Sequence, residues 1–217
     1  MSHGNTLAGL GIVLIALGLF KGDWFLLAAW LGGNFLLLGI AHLRGWHRIF
    51  GKRDDGTLPL WSRAAFLPLL LLTSAVWRLL RLGREPAQSV VSDRLVMGRR
   101  LLPSEVDRPF ENFVDLTAEF SEPAAIRRLP GYRAFPILDG SAPSPEALRA
   151  AVESLRPGPT FVHCAQGHGR TGLFALALLL QEGVARDVED GLRILRTARP
   201  AIRLSKVQKQ CIVGYRI

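Results

Sequence analysis

Two uncharged apolar runs at the start of the chain constrain most strongly what it can fold into. They extend from Leu7 to Phe20 and from Trp24 to Ala41, and only Lys21-Gly22-Asp23 separates them. A helix that crosses a bilayer needs about 20 mostly apolar residues. The runs therefore predict a hairpin of two spanning helices. A secretory signal peptide is the alternative for the first run, but the residues before it contain no Lys or Arg.

A third apolar run, Ala64 to Trp77, has two interpretations. It contains Pro68 and is followed by three arginines, Arg78, Arg81 and Arg84. It is either a third span or a segment that lies in the membrane interface. Basic residues concentrate on the cytoplasmic side of membrane proteins. Two spans place eight Lys/Arg on one side and Lys21 on the other, which favours the interfacial segment, whereas the apolar length of the run favours a third span.

The composition changes at the linker Gly83-Arg84-Glu85-Pro86. We predict a membrane anchor over residues 1–86 and a globular domain over residues 87–217. The chain has a net charge of +9, and the anchor holds nine Lys/Arg against four Asp/Glu. Basic residues beside apolar runs indicate contact with an anionic membrane surface. A nucleic-acid partner would need a basic face interleaved with aromatic residues, and the sequence shows no such face. Two cysteines make no disulfide framework and suit a reducing compartment.

Short apolar runs alternate with helical patterns in the second part of the chain. The predicted strands are Arg94 to Met97, Asn112 to Leu116, Ala134 to Leu138 and Thr160 to His163. The predicted helices are Pro145 to Leu155, Gly172 to Glu182, Val188 to Thr197 and Ser205 to Tyr215. This order predicts an α/β domain with a central, mainly parallel sheet flanked by helices, preceded by an α-helical transmembrane region.

One cysteine stands between a predicted strand and a predicted helix, in a loop that ends in an arginine. We call residues 164–170, Cys-Ala-Gln-Gly-His-Gly-Arg, the cysteine loop. Five intervening residues, two of them glycine, let the backbone N–H groups converge into an anion site at a helix N-terminus. The same positive field favours the thiolate of Cys164. Arg170 offers a planar fork to two phosphate oxygens. A buried structural cysteine in an ordinary turn is the plainer alternative.

The segment "VHCAQGHGRTG" resembles the signature of the cysteine-dependent protein tyrosine phosphatases. The surrounding chain is most similar to the compact dual-specificity branch, over roughly residues 88–215. The resemblance implies a phosphatase that hydrolyses phosphate monoesters through a phosphocysteine intermediate, without metal or other cofactor. It implies that Cys164 is the nucleophile, that Thr171 donates a hydrogen bond to its sulfur, and that His163 orients the loop. The phosphoryl oxygens would be bound by the loop, at Ala165, Gln166, Gly167, His168, Gly169 and Arg170.

A general acid is still needed to protonate the leaving oxygen. The best candidate is Asp139, which follows an apolar strand on a loop rich in Gly, Ser and Pro. An ordinary turn aspartate is the alternative, and Asp115 is the second candidate acid. The side chain of His168 is either a substrate contact or a solvent-facing group. Cys211 is expected to be helix packing.

We therefore expect a membrane-anchored phosphatase with a cytoplasmic catalytic domain, whose substrate is a phosphorylated protein or a phospholipid headgroup. The cysteine loop contains no lysine, which argues against a highly phosphorylated headgroup. Two other functions stay open. One is a binding module that grips phosphorylated partners without turnover. The other is sulfur transfer or arsenate reduction on a similar thiolate loop, although such chemistry usually uses additional cysteines.

Overall fold

A five-stranded sheet forms the centre of the C-terminal part of the computed structural model, which describes residues 3–215. Its strands are β1 (Gln88–Val90), β2 (Leu95–Arg99), β3 (Asn112–Thr117), β4 (Tyr132–Ile137) and β5 (Thr160–Cys164). Their order across the sheet is β1-β2-β5-β3-β4. Strand β1 runs antiparallel to β2, and the other neighbouring pairs are parallel. The mainly parallel sheet is therefore confirmed, and β1 is an edge strand that the sequence did not predict.

Helices cover both faces of this sheet. They are α5 (Ala124–Arg127), α6 (Pro145–Glu153), α7 (Gly169–Gln181), α8 (Val188–Ala198) and α9 (Lys206–Gly214). Helix α7 is buried from Arg170 to Leu180, because the sheet lies on one side of it and α6, α8 and α9 on the other. The opposite face of the sheet packs on α5 through Phe113, Phe161 and Ile126. The helices α6, α8 and α9 begin at the capping side chains of Ser144, Asp187 and Ser205.

The two apolar runs near the N-terminus form a helical hairpin. Helix α1 spans His3–Lys21 and helix α2 spans Leu26–Arg44, joined through Gly22 and a 3₁₀ turn over Asp23–Phe25. Both are long and apolar enough to cross a membrane, and most of their residues are not buried. The exposed side chains are large and apolar, including Val13, Phe20 and Leu27. An exposed apolar surface of this extent is typical of a protein that contacts lipid.

Glycines spaced seven residues apart hold the hairpin together. Gly4, Gly11 and Gly18 of α1 are all buried against α2. A Cβ on Gly11 would lie 2.7 Å from the carbonyl oxygen of Gly32 and 2.6 Å from the amide nitrogen of Leu36. The backbones therefore touch, as they do in tightly packed membrane helices. Gly9, by contrast, faces open space.

The substitution Gly11→Leu is expected to break this helix pair. The added side chain has no room, so we expect a loss of at least about 2 kcal/mol of stability. The loss would appear as a lower unfolding temperature of the full-length protein in detergent and as faster proteolysis between α1 and α2. Gly9→Leu is the matched control, since nothing lies within 4 Å of its Cβ position. Equal melting of the two variants would contradict the glycine contact.

The third apolar run forms two short helices instead of one long one. Helix α3 covers Leu60–Ala65 and helix α4 covers Leu67–Leu80, with the break at Phe66 and Pro68 in the first turn of α4. Trp30 and Asn34 of α2 both donate hydrogen bonds to the carbonyl oxygen of Ala65 at the break. The 14 residues of α4 are fewer than a spanning helix needs. Its C-terminal end instead reaches the α/β domain.

Candidate active site

The cysteine loop connects the central strand of the sheet to its buried helix. Cys164 is the last residue of β5, and Gly169 is the first of α7. Between them, Gly167 has a φ of 77°, which favours glycine. A Cβ at this position would lie 2.4 Å from the backbone of Gly98 on β2. The loop is therefore pressed against the neighbouring strand, and a glycine at position 167 is needed for that approach.

The sulfur of Cys164 lies at the base of this loop. The N–H of Gly167 donates a hydrogen bond to it at 3.2 Å, and the residue is only 3% exposed. An amide donor and the N-terminus of α7 together stabilise negative charge on sulfur. The predicted hydrogen bond from Thr171 is not formed: its hydroxyl is buried and has no hydrogen-bond partner within residues 3–215. The backbone N–H of Gly167 donates to the sulfur instead.

Arg170 is buried and held by a carboxylate that the sequence did not single out. Its two terminal nitrogens donate to the two oxygens of Glu119, each at 2.8 Å, and one also donates to the carbonyl of Ile137. Burial opposes the charged form, but Glu119, Asp139 and Cys164 outweigh it and raise the pKa of Arg170 above its ordinary value. The guanidinium is thus a fixed cation beside the cysteine loop.

A second buried arginine supports the loop from the other side. Arg199 follows α8, and it donates to the carbonyl oxygen of Gln166 at 2.9 Å and to that of Pro86. It also pairs with Glu85. Glu85 in turn contacts the Nε2 of His168 at 2.8 Å. The side chain of His168 is therefore tied to the linker and does not face open solvent, whereas its role as a substrate contact stays a prediction.

The two candidate acids occupy opposite environments. The Asp139 side chain is 81% exposed, and its Oδ1 lies 3.3 Å from Arg170. Asp115 is fully buried, bonded to Lys52 and Tyr132, and these partners hold it as a carboxylate. Burial opposes that charge, but Lys52 and His163 outweigh it and lower the pKa of Asp115 far below its ordinary value. Asp115 has no proton to donate near neutral pH, which argues against it as the general acid.

His163 lies behind the loop in an apolar setting. Its ring packs against Phe113 and Phe161, and its Nε2 is 3.9 Å from Asp115. Burial lowers the pKa of His163 to about 4, against the attraction of Asp115. The ring is therefore neutral at physiological pH. This placement suits a residue that positions the strand end at Cys164 and does not act as a base.

The neutral state of His163 gives a testable pH dependence. The unfolded chain binds a proton near pH 6.5 and the native one near pH 4, so this contribution to stability is full above pH 6.5 and lost as the pH falls. Glu122, whose pKa burial raises to about 7, acts in the opposite sense. The measurement therefore compares the pH dependence of stability in the wild type with that in a variant that lacks this histidine. Relative to wild type, the stability of His163→Asn should improve by about 3 kcal/mol from pH 7 to pH 4 in thermal melts. A constant difference would contradict the buried neutral ring.

Asp115, Glu122 and His163 come close enough to hold a metal ion. Cations of the protein already neutralise both carboxylates, however. Lys52 binds Asp115, and Arg100 binds Glu122. A metal would have to displace these buried ion pairs. The cluster therefore suits a structural network better than a metal site.

An apolar cleft of about 330 Å³ opens directly beside the cysteine loop. Side chains from α1, α2 and α4 form its wall, among them Leu7, Phe35, Leu38, Leu72, Val76 and Leu80. Its other end is polar and is lined by Glu119, Asp139, Ala165, Gln166 and Arg170. The cleft thus joins the candidate catalytic groups to the N-terminal helices.

The predicted site residues come together, and three more belong with them. Arg170 and Asp139 meet in the cleft, and Cys164, Thr171 and His163 are buried at the cysteine loop next to it. Sequence reasoning missed Glu119, Arg199 and Glu85. The only signal in the sequence was their place in charged segments beside the predicted strand ends and the linker, which does not identify a partner.

Comparisons with known proteins agree with this geometry. Residues 114–189 match the model of the tyrosine phosphatase family. No curated protein matches the chain. The solved structure of Tk-PTP in the active form is 22% identical with a TM-score of 0.53, over 60% of this chain and 96% of that one. PTPMT1 in complex with PI(5)P (12% identical, TM-score 0.51) and a variant of human DUSP28 (18%, 0.51) each match over 60% of this chain and 94% of theirs. At these identities the likeness establishes the fold.

Proposed function

Because the chain has a tyrosine phosphatase family segment on a dual-specificity phosphatase-like fold, we propose that it is a membrane-anchored phosphatase. It hydrolyses phosphate monoesters of proteins or phospholipids through a phosphocysteine intermediate. One observation carries the proposal: the sulfur of Cys164 lies under a loop whose arginine is fixed in place by Glu119. Nucleophile and phosphoryl-binding cation are therefore positioned before any substrate arrives.

In the first step, the thiolate of Cys164 attacks the phosphorus atom. The S–P bond forms while the P–O bond to the leaving group breaks, and Asp139 gives its proton to the departing oxygen. Arg170 and the loop amides hold the phosphoryl oxygens as charge redistributes. The products are the free alcohol and a phosphocysteine.

In the second step, water attacks the phosphorus of the phosphocysteine. Asp139, now a carboxylate, takes one proton from that water, the S–P bond breaks, and the electron pair returns to the sulfur. Inorganic phosphate leaves, and the thiolate and the protonated acid are regenerated. The exposed side chain of Asp139 allows this exchange with solvent.

The role of Asp139 predicts a leaving-group dependence. Asp139→Asn should lower kcat about 100-fold or more for an alkyl phosphate, within the usual range for a general acid. The loss should be much smaller for p-nitrophenyl phosphate, whose leaving group departs without a proton. Ser141→Ala on the same loop is the control and should change neither. An equal loss for both substrates would argue against acid catalysis by Asp139.

The helical hairpin supports membrane anchoring of the whole enzyme, with residues 1–86 as the anchor and residues 87–217 as the catalytic domain. The ends of α1 and α2 remote from their connecting turn lie at the candidate site: His3 packs beside Gly140, and His42 Nε2 is 2.9 Å from the carbonyl oxygen of Asp139. Two spans then place both ends and the catalytic domain on one side. The basic residues of the anchor favour the cytoplasmic side.

Trapping the intermediate tests the proposal. Full-length protein in detergent is mixed with radiolabelled phosphate monoesters, quenched in neutral denaturant and mapped by mass spectrometry. Phosphate on Cys164, formed and lost at the rate of turnover, is the expected result. Substrate binding without label or hydrolysis would overturn the proposal in favour of an anchored binding module. Hydrolysis with no label on Cys164 would overturn the mechanism.

A further inference from the structure

The apolar cleft and the cysteine loop are parts of one continuous space. Arg170 and Gln166 line its polar end, and Leu38, Leu72 and Val76 line the rest. A phosphate monoester bound at the cysteine loop therefore has apolar side chains beside it on this side of the site. Any group attached to that phosphate on this side must be compatible with hydrocarbon.

Helix α4, which forms one wall of the cleft, is apolar on its outer face as well. Leu71 is 62% exposed and Leu79 is 66% exposed, and neither lines the cleft. A helix that is apolar on both faces suits contact with lipid, and one of 14 residues cannot span a bilayer. The wall that α4 contributes to the cleft is therefore apolar on its inner and its outer side.

The end of α4 nearest the cysteine loop is basic. Arg78 and Arg84 are exposed there, close to the cleft residues Trp77 and Leu80. Arg81 is engaged with Glu105. Exposed arginines that follow an apolar helix attract anionic headgroups. The surface of α4 thus changes from apolar to basic along the helix. A lipid changes in the same order, from its acyl chain to its headgroup.

We infer, on the basis of the proposed phosphatase function, that the substrate class is a phospholipid with a terminal phosphate monoester, one acyl chain of which lies in the apolar cleft. The headgroup phosphate reaches Cys164 and Arg170, and the chain contacts α1, α2 and α4. Burial of methylene groups in this cleft supplies binding energy away from the reacting phosphorus.

A phosphopeptide fits the same cleft poorly. An extended peptide has N–H and C=O groups at every residue, and each one left unpaired among apolar side chains destabilises the complex. The wall from Leu7 to Leu80 consists mainly of hydrocarbon side chains. An acyl chain carries no such groups. The structure therefore favours the lipid.

Chain length tests this inference on the full-length protein in detergent. The substrates are 1-acyl-glycerol 3-phosphates with 6, 10 and 14 carbons, with p-nitrophenyl phosphate and a phosphotyrosine peptide alongside. We expect kcat/KM to rise at least about tenfold from 6 to 14 carbons, since each buried methylene contributes to binding. We also expect the 14-carbon lipid to exceed the peptide.

Tryptophan substitutions inside and outside the cleft test whether the acyl chain binds in the cleft. Val76→Trp narrows the cleft and should lower kcat/KM for the 14-carbon lipid about tenfold, while hydrolysis of p-nitrophenyl phosphate stays within about twofold. Leu79→Trp on the outer face is the matched control, and both variants meet the same detergent. Leu72→Trp provides a second cleft variant should Val76→Trp fold poorly.

Three results would overturn the inference. They are a flat response to chain length, a preference for the phosphopeptide, and an equal loss on both substrates in the cleft variants. In all three, the wild-type protein still hydrolyses p-nitrophenyl phosphate, so the phosphatase function itself survives. Absence of p-nitrophenyl phosphate hydrolysis by the wild-type protein would overturn both together.

Discussion

Cys164→Ser is expected to abolish turnover, with a loss of roughly 10⁴-fold or more in kcat for any phosphate monoester. A serine hydroxyl is a much weaker nucleophile than a cysteine sulfur, which at this position also accepts a hydrogen bond from the Gly167 amide. The serine side chain is close in size to that of cysteine, so the cysteine loop of the variant should fold and still bind phosphate. The measurement is steady-state hydrolysis of p-nitrophenyl phosphate beside phosphate binding.

The second cysteine provides the control for this result. Cys211 lies in α9, where burial and then Glu146 raise the pKa of its thiol to about 11, so it stays protonated at neutral pH. Cys211→Ser should retain activity within about twofold, because the residue lies outside the cysteine loop. A comparable loss in both variants would point to general misfolding and would undermine the assignment of Cys164 as nucleophile.

Lys52→Met is expected to destabilise the α/β domain from a position outside it. The Lys52 ammonium is 1% exposed and donates to Asp115, to the carbonyl of Thr117 and to the Thr117 hydroxyl. Methionine fills a similar volume but leaves the buried Asp115 charge uncompensated. Breaking a buried pair in this way costs about 3–5 kcal/mol. For a protein of this size we expect the unfolding temperature to fall by about 10 °C.

Two further variants make the Lys52 experiment specific. Arg53→Met removes an adjacent but exposed cation and should leave the melting temperature nearly unchanged. Asp115→Asn added to Lys52→Met should restore part of the stability, since it removes the unpaired charge. A melting temperature for Lys52→Met within about 2 °C of wild type would contradict the importance of this pair.

The sequence was sufficient to predict those features whose residues lie close together along the chain. The cysteine loop could be predicted because nucleophile, glycines and arginine fall within seven consecutive residues. Helices α6 and α9 could be predicted because Ser144 and Ser205 are capping residues ahead of helical patterns. Likewise, the length and apolar composition of the two N-terminal runs were enough to predict the helical hairpin.

The sequence was insufficient where partners are distant along the chain. Glu119 lies 51 residues before Arg170, and Gln166 lies 33 residues before Arg199. Periodicity reports which side of an element is apolar, but it does not say which side chains meet across the fold. Lys52 is the clearest example, because the sequence shows it only as one of the basic residues of the predicted anchor, and the structure buries it against the sheet.

The tight attachment of the hairpin to the α/β domain has a kinetic consequence. Lys52, the α4 contact at Trp77 and the His42 contact at Asp139 leave no loose tether between the helices and the site. On the proposed membrane anchoring, Cys164 would be held at a fixed height in the bilayer and would reach only a thin layer at the membrane surface. Its rate would follow the number of substrate molecules per unit area of that surface, and adding inert lipid would slow it even at constant total substrate.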